Sequence, residues 1–239
     1  MPKRPSANCR FASSALALLI LVASAAGLAA PAGEVTHVSG ALLARKPDGS
    51  SKILAPKSKV EAGDLLATAG DTYARVKFAD GGEFTLRPNT QFRIESFAYD
   101  QANPAKDSAL FSLLKGGLRT ITGAIGKRKP DAYEMRTTVA TIGIRGTHYG
   151  LLLCQNDCQN LRSNEGQVPQ NGLHLDVAQG VISVTNPSGA KLLSIGQFGF
   201  VQNNALPMII VPPGQGSTNN TPGFDGGAGG GNKAECVVQ

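Results

Sequence analysis

The chain has 239 residues, with 23 Lys and Arg against 17 Asp and Glu, 29 Gly, no Trp and a formal net charge of +6. A positive balance alone does not make a nucleic-acid binder, and no nucleic-acid partner is expected. Such binding needs a clustered basic patch interleaved with aromatic platforms, and neither is present.

Residues 1–10 hold Lys3, Arg4 and Arg10 with no acid, and 11–32 carry no charge. A basic start, an apolar Leu/Ala/Ile/Val run and a small-residue end have the form of a secretory signal, residues 1–32, with cleavage expected between 29 and 32. An uncleaved anchor is the alternative, since roughly 20 apolar residues can just span a bilayer. No later stretch approaches membrane length, so no transmembrane segment is expected after cleavage. Loss of the three leader bases leaves 20 against 17 acids, a net charge near +3. Residues 33–211 suffice for one well-filled core and are short for two.

The body has a period of two. In "ARVKFADGGEFTLRPNTQFRIESF", Val76 and Phe78, Phe84 and Leu86, and Phe92 and Ile94 alternate with polar residues, and "DGG" and "RPNT" supply turns. An internal echo links the two ends of the body. "GALLARKPDG" from Gly40 and "GVISVTNPSG" from Gly180 share glycine, proline and glycine at equal spacing, each followed by a Lys and an apolar pair. The expected fold is an all-β single domain with imperfect strand-turn-strand repeats, either β-solenoid-like or a rolled sandwich. "LFSLLK" at 110–115 is a short ambiguous apolar run that Gly116 and Gly117 end. "GKRKPD" at 126–131 reads as a solvated loop.

"ATIGIRGTHYG" at 140–150 places three glycines around one arginine. A phosphate cradle needs a glycine loop opening into a helix, and here the spacing is wrong and strand-like residues follow. Glycine inside a strand marks close backbone approach or a bulge. Arg145 has two readings. It is tied into the fold through strand carbonyls or a carboxylate such as Glu134 or Asp176, or it binds a ligand.

Cys154 and Cys158, in "CQNDC", are expected to form a disulfide in an oxidising compartment. A metal site would need further ligands, and the nearest histidine, His148, lies on the preceding strand. Cys9 is lost with the leader, and Cys236 is left over. The polar insertion 154–172 is long for a compact domain, and such loops are functional or disordered. Asn160, Arg162, Asn164 and Glu165 form its candidate recognition surface, with "IRGTHY" beside it; a tolerated insertion is the plainer reading. From 212 to 239 the Gly/Pro/Asn/Ser composition predicts a disordered tail.

Catalytic patterns are lacking. His37, His148 and His174 are far apart, and neither a Gly-x-Ser-x-Gly elbow nor His-Glu-x-x-His occurs. No catalytic, metal or cofactor site is expected, and the chain is read as a non-enzyme.

"TVATIGIRGTHYG" resembles the signature segment of the FecR-domain family. "VSGALLARKPDG", "VEAGDLLATAGDTYARVKFADGGEFTLRPNTQFRIE", "FSLLKGGLRTITG", "VAQGVISVTNPSG" and "LLSIGQFGFV" fit in the same order, over roughly residues 34–201. The resemblance implies a solenoid-like, non-enzymatic all-β extracytoplasmic domain. Such domains occur in iron-dicitrate-type transmembrane regulators that relay a receptor's state to a sigma factor. In the motif, Gly143, Ile144, Arg145, Gly146 and Thr147 are expected to be mainly structural. Only ten residues precede the apolar run, where the family's regulators carry a cytoplasmic anti-sigma segment, so a stand-alone exported module is expected. It would reside in the periplasm or at the cell surface, as an interaction or sensory module with a protein partner in the envelope. A structural or glycan-binding envelope protein is the alternative, and an envelope hydrolase using paired acids is the more distant one.

Overall fold

The computed structural model describes residue 1, residues 30–163 and residues 165–216. Most of the expected leader, Cys9, Asn164, and the tail from 217 with Cys236 lie outside the described residues. The first residues assigned to the tail are described: Pro213–Gln215 form a 3-10 turn.

Among the described residues, period-two patterning becomes fifteen strands in one sheet. In chain order these are β1 (Gly33–Val38), β2 (Leu42–Arg45), β3 (Ser51–Leu54), β4 (Lys59–Val60), β5 (Leu65–Thr68), β6 (Ala74–Phe78), β7 (Glu83–Leu86), β8 (Gln91–Ala98) and β9 (Ser108–Ile121). A short helix, α1 (Ala124–Arg128), precedes β10 (Tyr133–Arg136), β11 (Thr141–Cys154), β12 (Gly172–Asn186), β13 (Gly189–Ser194), β14 (Phe198–Val201) and β15 (Ile209–Val211).

Three long strands, β9, β11 and β12, each serve two wings of this sheet. Wing A runs β3-β2-β5-β8-β9-β10-β11-β12-β13, using residues 108–115 of β9, 141–145 of β11 and 181–186 of β12. Wing B runs β4-β1-β6-β7-β9-β11-β12-β14-β15, using the other halves of the same strands. The wings face each other. Phe84 of wing B packs on Phe92 and Phe111 of wing A with ring centroids 5.3 and 4.8 Å apart, and Phe78 reaches Phe97 and Phe111 at 5.2 and 5.1 Å. Aromatic pairs at such spacings add to the burial that closes the core. The ladders are antiparallel apart from β9–β10. Of the two expected forms, this is the rolled sandwich.

Side-chain parity shows how one strand serves two wings. Along β9, Ala109, Phe111 and Leu113 are buried, and then Leu118 and Thr120 are. Along β11, Ile142 and Ile144 give way to Tyr149, Leu151 and Leu153; along β12, Leu173, Leu175 and Val177 give way to Ile182 and Val184. Inward residues change from odd to even numbers, or the reverse, within each strand. A one-residue slip reverses every side chain, so each change requires a bulge. Gly116, Gly146 and Gly180 sit at the three changes with φ of 78°, 59° and 78°. A Cβ on Gly180 would lie 2.7 Å from the Gly146 carbonyl oxygen. The glycines after "LFSLLK" therefore turn a strand over rather than end it.

The two echoed segments form matching hairpins at opposite ends of wing A, β2–β3 and β12–β13. In each the apolar pair divides, with Ile53 and Leu192 exposed and Leu54 and Leu193 buried. "GKRKPD" is exposed at Lys127, Arg128 and Asp131, as expected of a solvated segment, but it includes the end of α1, and Arg128 and Lys129 are bonded. Arg128 grips the buried Asp107 through Nε and Nη2 at 2.7 and 2.8 Å, and Lys129 donates to the Ala105 carbonyl at 2.9 Å.

Candidate functional site

The 154–171 insertion leaves β11 on wing B and folds back over that wing's outer face. Leu152 and Cys154 point outward there and would be exposed apolar surface without a cover. Cys158 and Leu161 close over them, leaving Leu152, Cys154 and Cys158 at 2%, 2% and 3% exposure. Cys154 and Cys158 form a disulfide with Cα atoms 5.5 Å apart. Further ties hold the loop. Asn171 and Asn156 exchange two hydrogen bonds, the Asn156 N–H to Asn171 Oδ1 at 2.8 Å and Asn171 Nδ2 to Asn156 Oδ1 at 2.6 Å. Lys115 approaches Asp157 at 3.6 Å, and the Glu165 N–H donates to the Gly214 carbonyl at 3.0 Å.

Beside the loop lies a charged group assembled from three strands. Arg119 of β9 donates from Nη2 to Asp176 of β12 at 2.7 Å, and its Nη1 lies 3.1 Å from His148 Nε2 of β11. A guanidinium only donates, so His148 Nε2 must accept and its proton sits on Nδ1. Burial, then the Arg119 charge, holds the His148 pKa below the ordinary histidine value, consistent with that neutral tautomer. Asp176 is 4% exposed, and its Oδ1 makes no hydrogen bond. Arg87, following β7, is also buried, and burial pushes its pKa below the ordinary arginine value. The lone pair His148 would use as a general base is occupied by Arg119, so the group is suited to fixed electrostatics rather than proton transfer. His174 donates from Nε2 to the Gln170 carbonyl at 2.8 Å and lies against Phe200. Burial lowers its pKa as well.

The residues singled out in the sequence are divided between the wings. Asn160 lines a cleft of about 200 Å³ with Arg87, Tyr73 and Asn89. Arg162 turns back onto the Gln159 and Leu161 carbonyls at 2.7 and 2.6 Å, and Glu165 lies over Gly214. In the motif, Ile144 is in the core, and the Thr147 N–H donates to Thr122 Oγ1 at 2.9 Å. Gly143 is on the outer side of wing A, where a Cβ would meet Ser183 Oγ at 2.7 Å. Arg145 differs from its fold-bound reading. It is exposed and makes no hydrogen bond or ion pair with the described residues, because Arg136 takes Glu134 and Arg119 takes Asp176. Arg145 instead borders a groove of about 700 Å³ with Asp131, Tyr133, Val181 and Leu192. Since the bulge at Gly146 passes β11 from one wing to the other, Arg145 and the disulfide loop do not share a surface; His148 is the part of "IRGTHY" that approaches the loop's wing. Arg87 and Arg119 escaped the sequence reading. Their outward parity was visible, but the register that brings Arg119 to Asp176 was not.

Residues 64–182 match the family described as FecR protein. No curated protein is significantly similar to the chain. Two crystal structures of a "putative anti-sigma factor" from Parabacteroides distasonis ATCC 8503, at 1.65 and 2.50 Å resolution, align in part with this chain. Each aligns with a TM-score of 0.45 and 14% identity over 62% of this chain and 58% of that one. The chain thus spans less than two thirds of the length of those structures.

Proposed function

From the premise that residues 64–182 form a FecR domain, we propose that the protein is a non-enzymatic interaction or sensory module of the cell envelope. Its recognition surface is the disulfide loop on wing B. What supports this is the state of that loop: a long polar segment held by a disulfide, paired asparagines and a backbone hydrogen bond to the 213–215 turn. Polar loops fixed on a rigid scaffold lose little further entropy on binding, which favours recognition. Asn160 and the exposed part of Arg162 present donors and acceptors from this frame. Export is supported by the form of the N-terminal segment and by the disulfide, which persists in oxidising compartments.

The test is affinity capture of the protein from envelope extract with cross-linking and mass spectrometry, repeated with residues 159–171 deleted. Recovery of one receptor or secretion component by the intact chain, lost on deletion, is the expected result. Unchanged capture by the deletion variant would sink the loop assignment.

A glycan-binding reading draws on a separate observation. A pocket of about 270 Å³ between the loop and β15 combines amides and rings, among them Gln170, His174, Phe200 and Gln202, with the aliphatic Val168 and Ile209, and no lining residue is an acid, Lys or Arg. Neutral polar groups beside an aromatic ring suit a sugar. Saturable binding of an envelope oligosaccharide, abolished by Gln202→Ala, would favour this reading over protein recognition.

A further inference from the structure

The outer face of wing A carries a pair of arginines that the fold leaves unmatched. Arg45 of β2 is in register with Leu65 of β5, and Leu65 with Arg93 of β8. Neighbouring strands lie roughly 4.8 Å apart, so the two arginines flank the apolar Leu65 at a backbone separation of about 10 Å. Neither makes a hydrogen bond or ion pair with the described residues, and Arg93 Nε is a buried donor without an acceptor. Most buried donors in folded proteins are satisfied, and an unsatisfied one is costly. The contrast with other strand arginines is direct. Arg119 is paired with Asp176 and Arg136 with Glu134.

Arg45, Leu65 and Arg93 border a cavity of about 530 Å³, with Lys46, Pro47 and Glu95 completing its walls. Lys46 is held in place by Glu61 and Asp64, each at 2.9 Å. The Pro47 side is fixed too, since Gly63, with φ of 90°, packs so closely that a Cβ would reach Pro47 Cγ at 2.6 Å. The walls are thus set by the fold, while the two guanidinium groups face the cavity without acceptors.

We propose that this cavity binds a phosphate-class anion between Arg45 and Arg93. A tetrahedral phosphate offers oxygens in several directions, so one group can accept planar forks from both sides, which a single carboxylate edge cannot do as well. Leu65 forms an apolar floor, and Glu95, the one acid among the lining residues, can accept from a hydroxyl of the bound group while the bases Arg45, Lys46 and Arg93 outnumber it. These features and the spare volume suit a phosphomonoester or a lipid head group as well as the free ion. The site is on the wing opposite the disulfide loop and does not depend on the loop's role.

The test uses the full chain in low salt, titrated with inorganic phosphate by calorimetry. A second arm is co-sedimentation with phosphatidylglycerol vesicles against phosphatidylcholine vesicles. Saturable binding in either arm is expected, weakened about tenfold or more by Arg45→Gln and by Arg93→Gln, and unchanged by Arg136→Gln, whose arginine is already paired. Binding in the first arm identifies a soluble phosphate; binding confined to the second identifies a head group. Arg45 is exposed, so its variant remains informative even if Arg93→Gln unfolds. Absence of binding in both arms overturns the proposal, as does binding that Arg136→Gln weakens as much as Arg45→Gln. Deletion of 159–171 should leave phosphate binding intact, which separates failure here from failure of the loop assignment.

Discussion

The two outer faces of this sandwich share the strands β9, β11 and β12 and yet are finished in opposite ways. On wing B the outward residues include Arg119, which bonds both His148 and Asp176 beside a covering loop. On wing A Arg136 is paired with Glu134, but the outward residues also include Arg45, Arg93 and Arg145, none with a hydrogen-bond or ion-pair partner among the described residues. Charge on a strand is therefore not informative by itself. Where neighbouring strands supply the complement, an arginine becomes part of the scaffold. Where they do not, it remains available to something outside the chain.

Asp176→Ala strikes wing B hardest, because it strands Arg119 beside Arg87 in a nearly closed environment. A loss of about 3 kcal/mol is expected in urea unfolding, with Arg119→Ala costing a similar amount and the double variant less than the sum.

Opening the disulfide comes next. Cys154→Ser with Cys158→Ser removes a five-residue covalent loop, for which chain-entropy arguments give about 2 kcal/mol. Hydrogen exchange should rise through 154–171 and the outer strands of wing B while β2, β5 and β8 keep their protection. Equal loss of protection on both wings would show that the loop is not a local cover.

Acidification separates the faces more gently. His148 and His174 have pKa values lowered by burial, so the folded protein binds fewer protons than the unfolded chain near the histidine range. Stability from these groups is complete above about pH 6.5 and declines as pH falls from there toward the folded-state values. Thermal melts at pH 7 and pH 5 should show the decline, and His148→Gln should flatten it. Asp107 acts lower on the scale. The Arg128 hydrogen bonds hold its pKa below the usual aspartate value, so its contribution is present above about pH 4 and lost as pH falls through the folded-state value.

Arg145→Ala is expected to have the smallest effect, within about 0.5 kcal/mol, as for an exposed side chain without partners. A loss comparable to that of Arg119→Ala would mean that the motif arginine is tied into the fold after all.

Much of the architecture was legible one residue at a time. The period of two named the inward side chains of β6, β7 and β8 correctly, and the Pro/Gly echo identified hairpins that prove to be the two ends of wing A. The close pair of cysteines announced its disulfide. Gly143, Gly146 and Gly150 were readable as strand glycines rather than a phosphate cradle. What escaped was pairing. Of the two readings of Arg145, the fold-bound one named Glu134 or Asp176 as carboxylate partners, and each has another arginine.

Strand period, turn chemistry and the need for glycine at a positive φ are properties of a residue and its immediate neighbours, and the sequence by itself determined them. Which strands lie side by side was decided only by the tertiary structure, because closing the two wings over one aromatic core sets registers between residues as distant as Arg119 and Asp176. The bulge at Gly146 then assigns Arg145 to one face and His148 to the other. An arginine's partner lies on the adjacent strand rather than along its own, so local sequence could supply the charges but not say which would be spent within the fold.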